Sequence, residues 1–252
     1  MPRFFLPPSA WLTSGAAPAL TGDEARHLAQ VLRIQPGASI TVFDGEGRRA
    51  QAKVLDVTRS RVTLELGDGV PGDAPVPVLT LAQAIPKGKT MDLIVQKAVE
   101  LGIAAIQPLV TRHTIVHPGE GKADKWRRTA LEACKQCGQD LLPEIAEALA
   151  FERWIASLTA APAGTASTAA AELKLIASLT RAARPLRDVL HEHPGTTRAT
   201  LLVGPEGDFS PDETAAALAA GFLPISLGAI VLRVETASLF CLSALRYEFG
   251  RN

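Results

Sequence analysis

Hydrophobic and polar positions follow two different rhythms along the 252 residues. In the N-terminal part the apolar positions come in short runs of period two. Arg3 to Leu6, Ser39 to Phe43, Ala50 to Val57 and Arg61 to Leu66 each read as a strand, because successive side chains point to opposite faces of a sheet. Pro7-Pro8 stops the first run, Pro36-Gly37 is a turn, and Asp44-Gly45-Glu46-Gly47 reads as a hairpin loop. Thr21-x-x-Glu24 has the spacing of a capping box and predicts an amphipathic helix through Leu32. Together these elements predict a small, mostly antiparallel β-barrel.

Gly67 to Pro77 holds three glycines and three prolines, which marks a domain boundary and divides the chain into 1–72 and 73–252. Beyond it, strands and helices alternate. Strands are expected at Val78 to Ile85, Ile103 to Val110, Leu173 to Ala177, Ala199 to Val203 and Leu223 to Leu227. Helices are expected at Met91 to Leu101, Lys122 to Cys137, from Ser210, and Glu235 to Phe249. The Ala/Thr/Pro/Gly stretch from Leu158 to Ala171 reads as a mobile loop. Alternation of this kind predicts an α/β domain with a mainly parallel sheet covered on both faces.

Composition narrows the class. Hydrophobic residues make up 47% and charged residues 21%, as in ordinary globular domains. No apolar run approaches the ~18 residues of a membrane helix, and the apolar stretch at the N-terminus is too short for a signal peptide. A cytoplasmic protein is expected. Cys134, Cys137 and Cys241 do not suggest a disulfide framework, and the single C-x-x-C lacks the further ligands of a zinc site. No metal is expected. The 26 basic residues balance 26 acidic ones, but the basic ones cluster locally. Arg48, Arg49, Lys53, Arg59 and Arg61 face only Asp56, which leaves room for an RNA-binding surface.

Two segments point to chemistry. In Leu202-Val203-Gly204-Pro205-Glu206-Gly207 an apolar strand runs into a glycine loop, and Ser210, Pro211 and Glu213 then open a helix. Open α/β sheets bind ligands at such strand ends, and glycine lets a ligand approach the backbone. A plain strand-to-helix turn is the alternative, and the G-x-x-x-x-G-K-[ST] phosphate loop is absent. The second segment, Leu227 to Ala237, is an apolar loop after Gly228 that carries Arg233. By spacing alone it either covers a flat ligand or packs into a core.

These segments, together with Gln96-Lys97-Ala98-Val99-Glu100-Leu101-Gly102 and Glu132-Ala133-Cys134-Lys135-Gln136-Cys137-Gly138, closely resemble the RsmE family. His27 to Arg33, Phe43-Asp44-Gly45 and Pro143-Glu144-Ile145 extend the likeness over nearly the whole chain. RsmE proteins are the small-subunit (16S) ribosomal RNA uridine-N3 methyltransferases of the SPOUT superfamily. The resemblance implies a PUA-like RNA-binding β-barrel followed by a SPOUT α/β domain with a C-terminal trefoil knot, which dimerises. It implies S-adenosyl-L-methionine as cofactor and small-subunit ribosomal RNA, or the assembled subunit, as partner. The implied cofactor pocket comprises Leu202, Val203, Gly204, Pro205, Glu206, Gly207, Leu227, Gly228, Val231 and Leu232, with Thr236 at its edge and the strand end at Ile176 and Ala177 nearby.

A uridine N3 must lose its proton before or as the methyl arrives. A cation near a base carbonyl lowers that cost by stabilising the anion. Arg233 matches the motif for this role, and Glu206 is either a general base or, as preferred here, a binding group. Arg3 and Arg33 are expected helpers from the N-terminal domain, and Arg48 and Arg49 further RNA contacts. The chain departs from the family pattern at Asp208, where a second glycine is usual, and at Ile230 and Gln139, where arginine is usual. Two other readings fit fewer residues: another SPOUT enzyme acting on a ribose 2′-hydroxyl, and a non-catalytic RNA-binding assembly factor.

Overall fold

The computed structural model describes residues 1–11, 17–72, 75–116, 119, 121–159 and 172–250. The chain divides into two compact units, Met1–Ala74 with Leu131–Leu142, and Pro75–Ala130 with Pro143–Asn252.

The first unit is built on β1 (Arg3–Phe5), α1 (Pro8–Trp11), β2 (Ala19–Thr21), α2 (Gly22–Arg26), β3 (Ser39–Phe43), β4 (Arg48–Val57), β5 (Arg61–Leu66) and β6 (Val70–Pro71). Its sheet runs β1-β3-β4-β5-β2, with β6 also on β4. Every pairing is antiparallel except β1 with β3. The path ends at β1 and β2, which do not pair with each other among the described residues, so the sheet is a half-barrel rather than a closed one. Alternation fills it as expected: Ala50, Ala52 and Val54 are buried while Gln51 and Lys53 are exposed. Phe4, Leu20, Leu28, Ile40, Val42 and Leu64 complete the core.

The helix after β2 departs from expectation. Thr21 occupies the N-cap, but its side chain makes no capping bond. Glu24 turns away from the cap, accepts the backbone N–H of Phe5 at 3.1 Å, and pairs with Lys135 at 2.8 Å. From His27 to Val31 the helix widens into a π-helical turn, with Leu32 N–H bonded to His27 O. A charged partner outside the helix outcompetes the local cap, which the sequence spacing alone cannot reveal.

The second unit comprises β7 (Val78–Ala84), α3 (Thr90–Glu100), β8 (Ala105–Val110), α4 (Lys122–Cys137), β9 (Glu144–Ile145), β10 (Leu149–Ala150), α5 (Phe151–Thr159), β11 (Leu173–Ala177), β12 (Arg184–Pro185), α6 (Leu186–His191), β13 (Arg198–Val203), α7 (Pro211–Ala219), β14 (Leu223–Ser226) and α8 (Val234–Phe249). The last turns of α4, from Leu131, group with the first unit. The sheet order is β10-β8-β7-β13-β11-β14-β12, with β9 also on β8. Every pairing is parallel. Central β13 is buried from Ala199 to Val203 with no alternation, as a strand covered on both faces must be.

One face packs α5 and α7 through Phe151, Trp154, Phe209 and Phe222. The other carries α3 and α8, which pack on each other, with α8 also against β13. Arg246 on α8 clamps this layer by donating to the carbonyls of Val76, Leu101 and Gly102. Of the stretch read as a loop over 158–171, Leu158 and Thr159 close α5, and residues 160–171 lie outside the described residues.

The strand order forces two connections to cross. The chain leaves β11 on one side of Ile225 and enters β12 on its other side. It then leaves β14 and returns past β11 to reach α8 on β13. Crossed connections at one end of a sheet are rare in proteins.

A cavity at the carboxyl end of the parallel sheet

Three loops that follow parallel strands enclose a cavity of about 680 Å³, within the range of small-molecule sites. They follow β11 (Ala177 to Thr180), β13 (Val203 to Asp208) and β14 (Ser226 to Val234), and the first turn of α8 with Thr90 of α3 completes the lining. The cavity therefore sits at the carboxyl ends of strands, where open α/β sheets leave crevices.

Of the residues implied for cofactor binding, Val203, Gly204, Pro205, Glu206, Leu227, Gly228, Val231 and Leu232 line this cavity, and so does Arg233. Leu202 is buried in the core beneath it, as is Ile176. Gly207 and Thr236 stand outside the lining, while Ala177 belongs to it. The sequence reading missed Thr90, Ser178 to Thr180 and Ser226. Thr90 and Ser178 to Thr180 carry no local motif and join the site only through strand order, whereas Ser226 extends the loop after β14 by one residue.

Gly204 and Gly228 line the cavity, and the glycines also meet local steric demands. A Cβ on Gly204 would stand 3.1 Å from Asp208 Oδ1 and 3.3 Å from its Cα, and one on Gly207 would stand 3.1 Å from His113. Both contacts are tight, so a side chain at either position would press on the loop's own packing. Gly228 faces open space but adopts φ +123°, a conformation that disfavours side chains. Asp208, at the position where glycine is usual, adopts φ +57° and caps the turn by accepting the N–H of Phe209 at 2.8 Å.

The loop after β13 is fixed from both ends. Glu206 accepts the backbone N–H of Lys87 at 3.0 Å. The capping box at Ser210 and Glu213 forms, and buried Glu213 also accepts the N–H of Arg112 at 2.8 Å. His113 reaches the carbonyl of Asp208 at 2.9 Å. The loop after β14 is apolar and different in kind. Among the described residues, no protein group accepts the N–H groups of Ala229 to Leu232. Ile230 and Val231 are about three-quarters exposed. The backbone edge there is available to a ligand, and apolar side chains flank it.

Beneath the cavity, buried Gln83 of β7 accepts the hydroxyl of Ser238 at 2.5 Å and donates to the carbonyl of Ala84. This ties the first turns of α8 to the central strands. Arg233 is the N-cap of α8, exposed, and without an ion-pair partner among the described residues.

The arginines expected as RNA contacts of the first unit differ in their surroundings. Arg3 pairs with Asp140 at 2.7 Å and is largely buried, and Arg49 takes the other carboxylate oxygen at 2.9 Å. Arg48 pairs with Asp44 and lies 4.5 Å over the ring of Trp11. Arg33 is exposed in the left-handed region, at φ +49°. The C-x-x-C pair splits: Cys137 is exposed, whereas burial pushes the thiol of Cys134 up to about 12. Among the described residues no cluster of potential metal ligands occurs.

The chain matches the RNA methyltransferase domain model over residues 73–246 and the RNA methyltransferase PUA domain model over 20–67. It is 32% identical over 231 residues to the ribosomal RNA small subunit methyltransferase E of Synechocystis, covering 91% of this chain and 73% of that one. The crystal structure of a ribosomal RNA small subunit methyltransferase E from Neisseria gonorrhoeae bound to S-adenosyl methionine superposes with a TM-score of 0.82 at 30% identity, covering 99% of this chain and 98% of that one. A putative methyltransferase from Legionella pneumophila with bound SAM gives the same TM-score at 29% identity, covering 99% and 98% of the two chains. With its domain pair matched in sequence and its fold matched over nearly its full length, this chain belongs to the RNA methyltransferase family of the small-subunit methyltransferase E type.

Proposed function

We propose that the chain transfers a methyl group from S-adenosyl-L-methionine to N3 of a uridine in small-subunit ribosomal RNA, in the cytoplasm, where ribosomal subunits are at hand. The observation that carries this reading is the three-loop cavity with Arg233 at its edge, in a chain whose Neisseria relative holds S-adenosyl methionine. The residues fit that group. The unpaired backbone edge of Ala229 to Leu232 suits the donors and acceptors on an adenine rim, and Leu227, Val231 and Leu232 suit its faces. When bound, the cofactor supplies a methyl group on a positively charged sulfur.

The chain's own residues supply the rest. Arg233 stabilises the negative charge that develops on a base oxygen as N3 loses its proton. The N-terminus of α8, which it caps, adds to the positive potential. Glu206 holds the loop after β13 through Lys87 N–H, which supports a binding role over that of a general base. Apolar lining excludes water while charge is neutralised between base and donor, and the fixed loops hold the two groups in line.

Residues 1–72 act in this reading as the RNA-binding domain and 73–252 as the transferase, supported by the two family-model spans. The crossing connections around Ile225 support a C-terminal trefoil knot. A homodimer is supported by apolar residues that α8 leaves uncovered: Phe240 is 49% and Tyr247 90% exposed beside a second cavity lined by Leu186 and Leu190.

The test is mass mapping of small-subunit ribosomal RNA after incubation with the protein and labelled cofactor. One uridine carrying the label on N3 is expected. Label on a ribose would favour the 2′-hydroxyl reading, and no label would leave an assembly factor.

A further inference from the structure

We propose that Lys87, Lys89 and Arg112, on the loops that follow β7 and β8, form a phosphate-binding rim through which the catalytic unit itself grips the RNA backbone beside the cavity. The proposal rests on the reading of the chain as an RNA methyltransferase and assigns a second RNA contact, apart from the N-terminal unit.

Three observations carry it. All three side chains are exposed, and none has a carboxylate partner among the described residues, unlike Lys97, Lys125, Arg127 and Arg184 of the same unit. Their loops leave the sheet at its carboxyl end, and each is bonded to the cavity's own wall. Lys87 N–H goes to Glu206, Arg112 N–H to Glu213, and His113 to the carbonyl of Asp208. Lys89 is the N-cap of α3, and the next residue, Thr90, lines the cavity.

Among the described residues the nearby acids form no ion pair with these cations and are held by backbone instead. One oxygen of Glu206 is engaged by backbone, both oxygens of Glu213 are buried in backbone hydrogen bonds, and Asp208 accepts the N–H of Phe209. Lys89 also stands at the N-terminus of the 11-residue helix α3, whose positive end favours an anion there. A polyanion whose target base enters the cavity must carry its flanking phosphates across this edge. Fixed backbone behind flexible cationic side chains suits phosphate contact, which positions a nucleic acid without reading its bases.

The experiment measures binding of a small-subunit ribosomal RNA fragment at several salt concentrations for the wild-type protein and the triple variant Lys87→Gln, Lys89→Gln, Arg112→Gln. Cofactor affinity and melting temperature are measured alongside. Loss of three phosphate contacts lowers the slope of log affinity against log salt by about 2, with cofactor affinity and melting temperature unchanged. The single variant Arg112→Gln lowers it by roughly 0.7 and serves if the triple variant folds poorly. A variant that retains the wild-type slope overturns the rim. Failure of the wild-type protein to methylate the RNA at all would instead overturn the functional reading on which the rim rests.

Discussion

Arg3 and Arg233 carry the same guanidinium into opposite surroundings. In the first unit Arg3 is 15% exposed and shares the buried carboxylate of Asp140 with Arg49, while Arg48 is taken by Asp44 and Trp11. There Arg3 and Arg49 tie the half-barrel to the segment around residue 140 and Arg48 is paired within it, whereas Arg33, Lys53, Arg59 and Arg61 of the same unit are exposed. In the second unit Arg233 has no ion-pair partner among the described residues and lines a cavity, with Lys87, Lys89 and Arg112 on neighbouring loops. Charge that is paired inside a unit fixes structure, whereas unpaired charge at a concave edge remains available to a ligand. A count of basic residues in sequence cannot make that distinction.

The sharpest way to break this contrast is to remove each arginine in turn. Arg233→Ala is expected to lower the methyl-transfer rate by about 100-fold or more, with cofactor affinity nearly unchanged, because an electrostatic stabiliser acts mainly in the transition state. Single-turnover kinetics with calorimetry separate the two. Equal losses in rate and affinity would move Arg233 into cofactor binding and weaken the contrast.

Asp140→Ala attacks the other side. It leaves Arg3 with an uncompensated charge in a largely buried site, where its Nε already lacks a partner. A loss of about 3 kcal/mol in unfolding free energy is expected from breaking such a pair. Denaturant titration reads it. A change within ~0.5 kcal/mol, as for an ordinary surface site, would show that the Arg3–Asp140 pair is not structural.

Gly228→Val sharpens the account of the cavity. Its φ of +123° is costly for valine, by roughly 1–3 kcal/mol of local strain, so the apolar loop must move. Cofactor affinity is expected to fall at least about tenfold, the equivalent of ~1.4 kcal/mol, while global folding persists. Unaltered affinity in the folded variant would remove this loop from the site.

The smallest effect concerns Ile230. It is 75% exposed on the cavity loop, so an arginine there enters solvent and does not disturb the core. Ile230→Arg is expected to steepen the salt dependence of RNA binding by about one phosphate contact, or ~0.7 in slope, without lowering the melting temperature. An unchanged slope would mean that RNA does not pass this loop.

Much of this protein was legible in order of residues. The strand from Ser39 to Phe43 and the helix from Lys122 to Cys137 have the limits their patterns predict, because alternation and helical periodicity depend only on local spacing. The capping box at Ser210 and Glu213 forms, since its partners lie three residues apart. The one at Thr21 does not, since Glu24 finds Lys135, 111 residues away in sequence. The same limit applies at the site. The motifs carry Val203 to Glu206 and Leu227 to Arg233, because each is a continuous loop.

Sequence by itself determined the alternating strands and helices, the family motifs and the two loops in which binding groups cluster. Tertiary structure decided which basic residues are paired, how tightly Gly204 and Gly207 are packed, and that Thr90 and Ser178 to Thr180 join the cavity. The physical reason is distance along the chain. Periodicity and caps are short-range effects, whereas ion pairing, steric closure and a parallel sheet whose strand order departs from chain order depend on residues that only folding brings together.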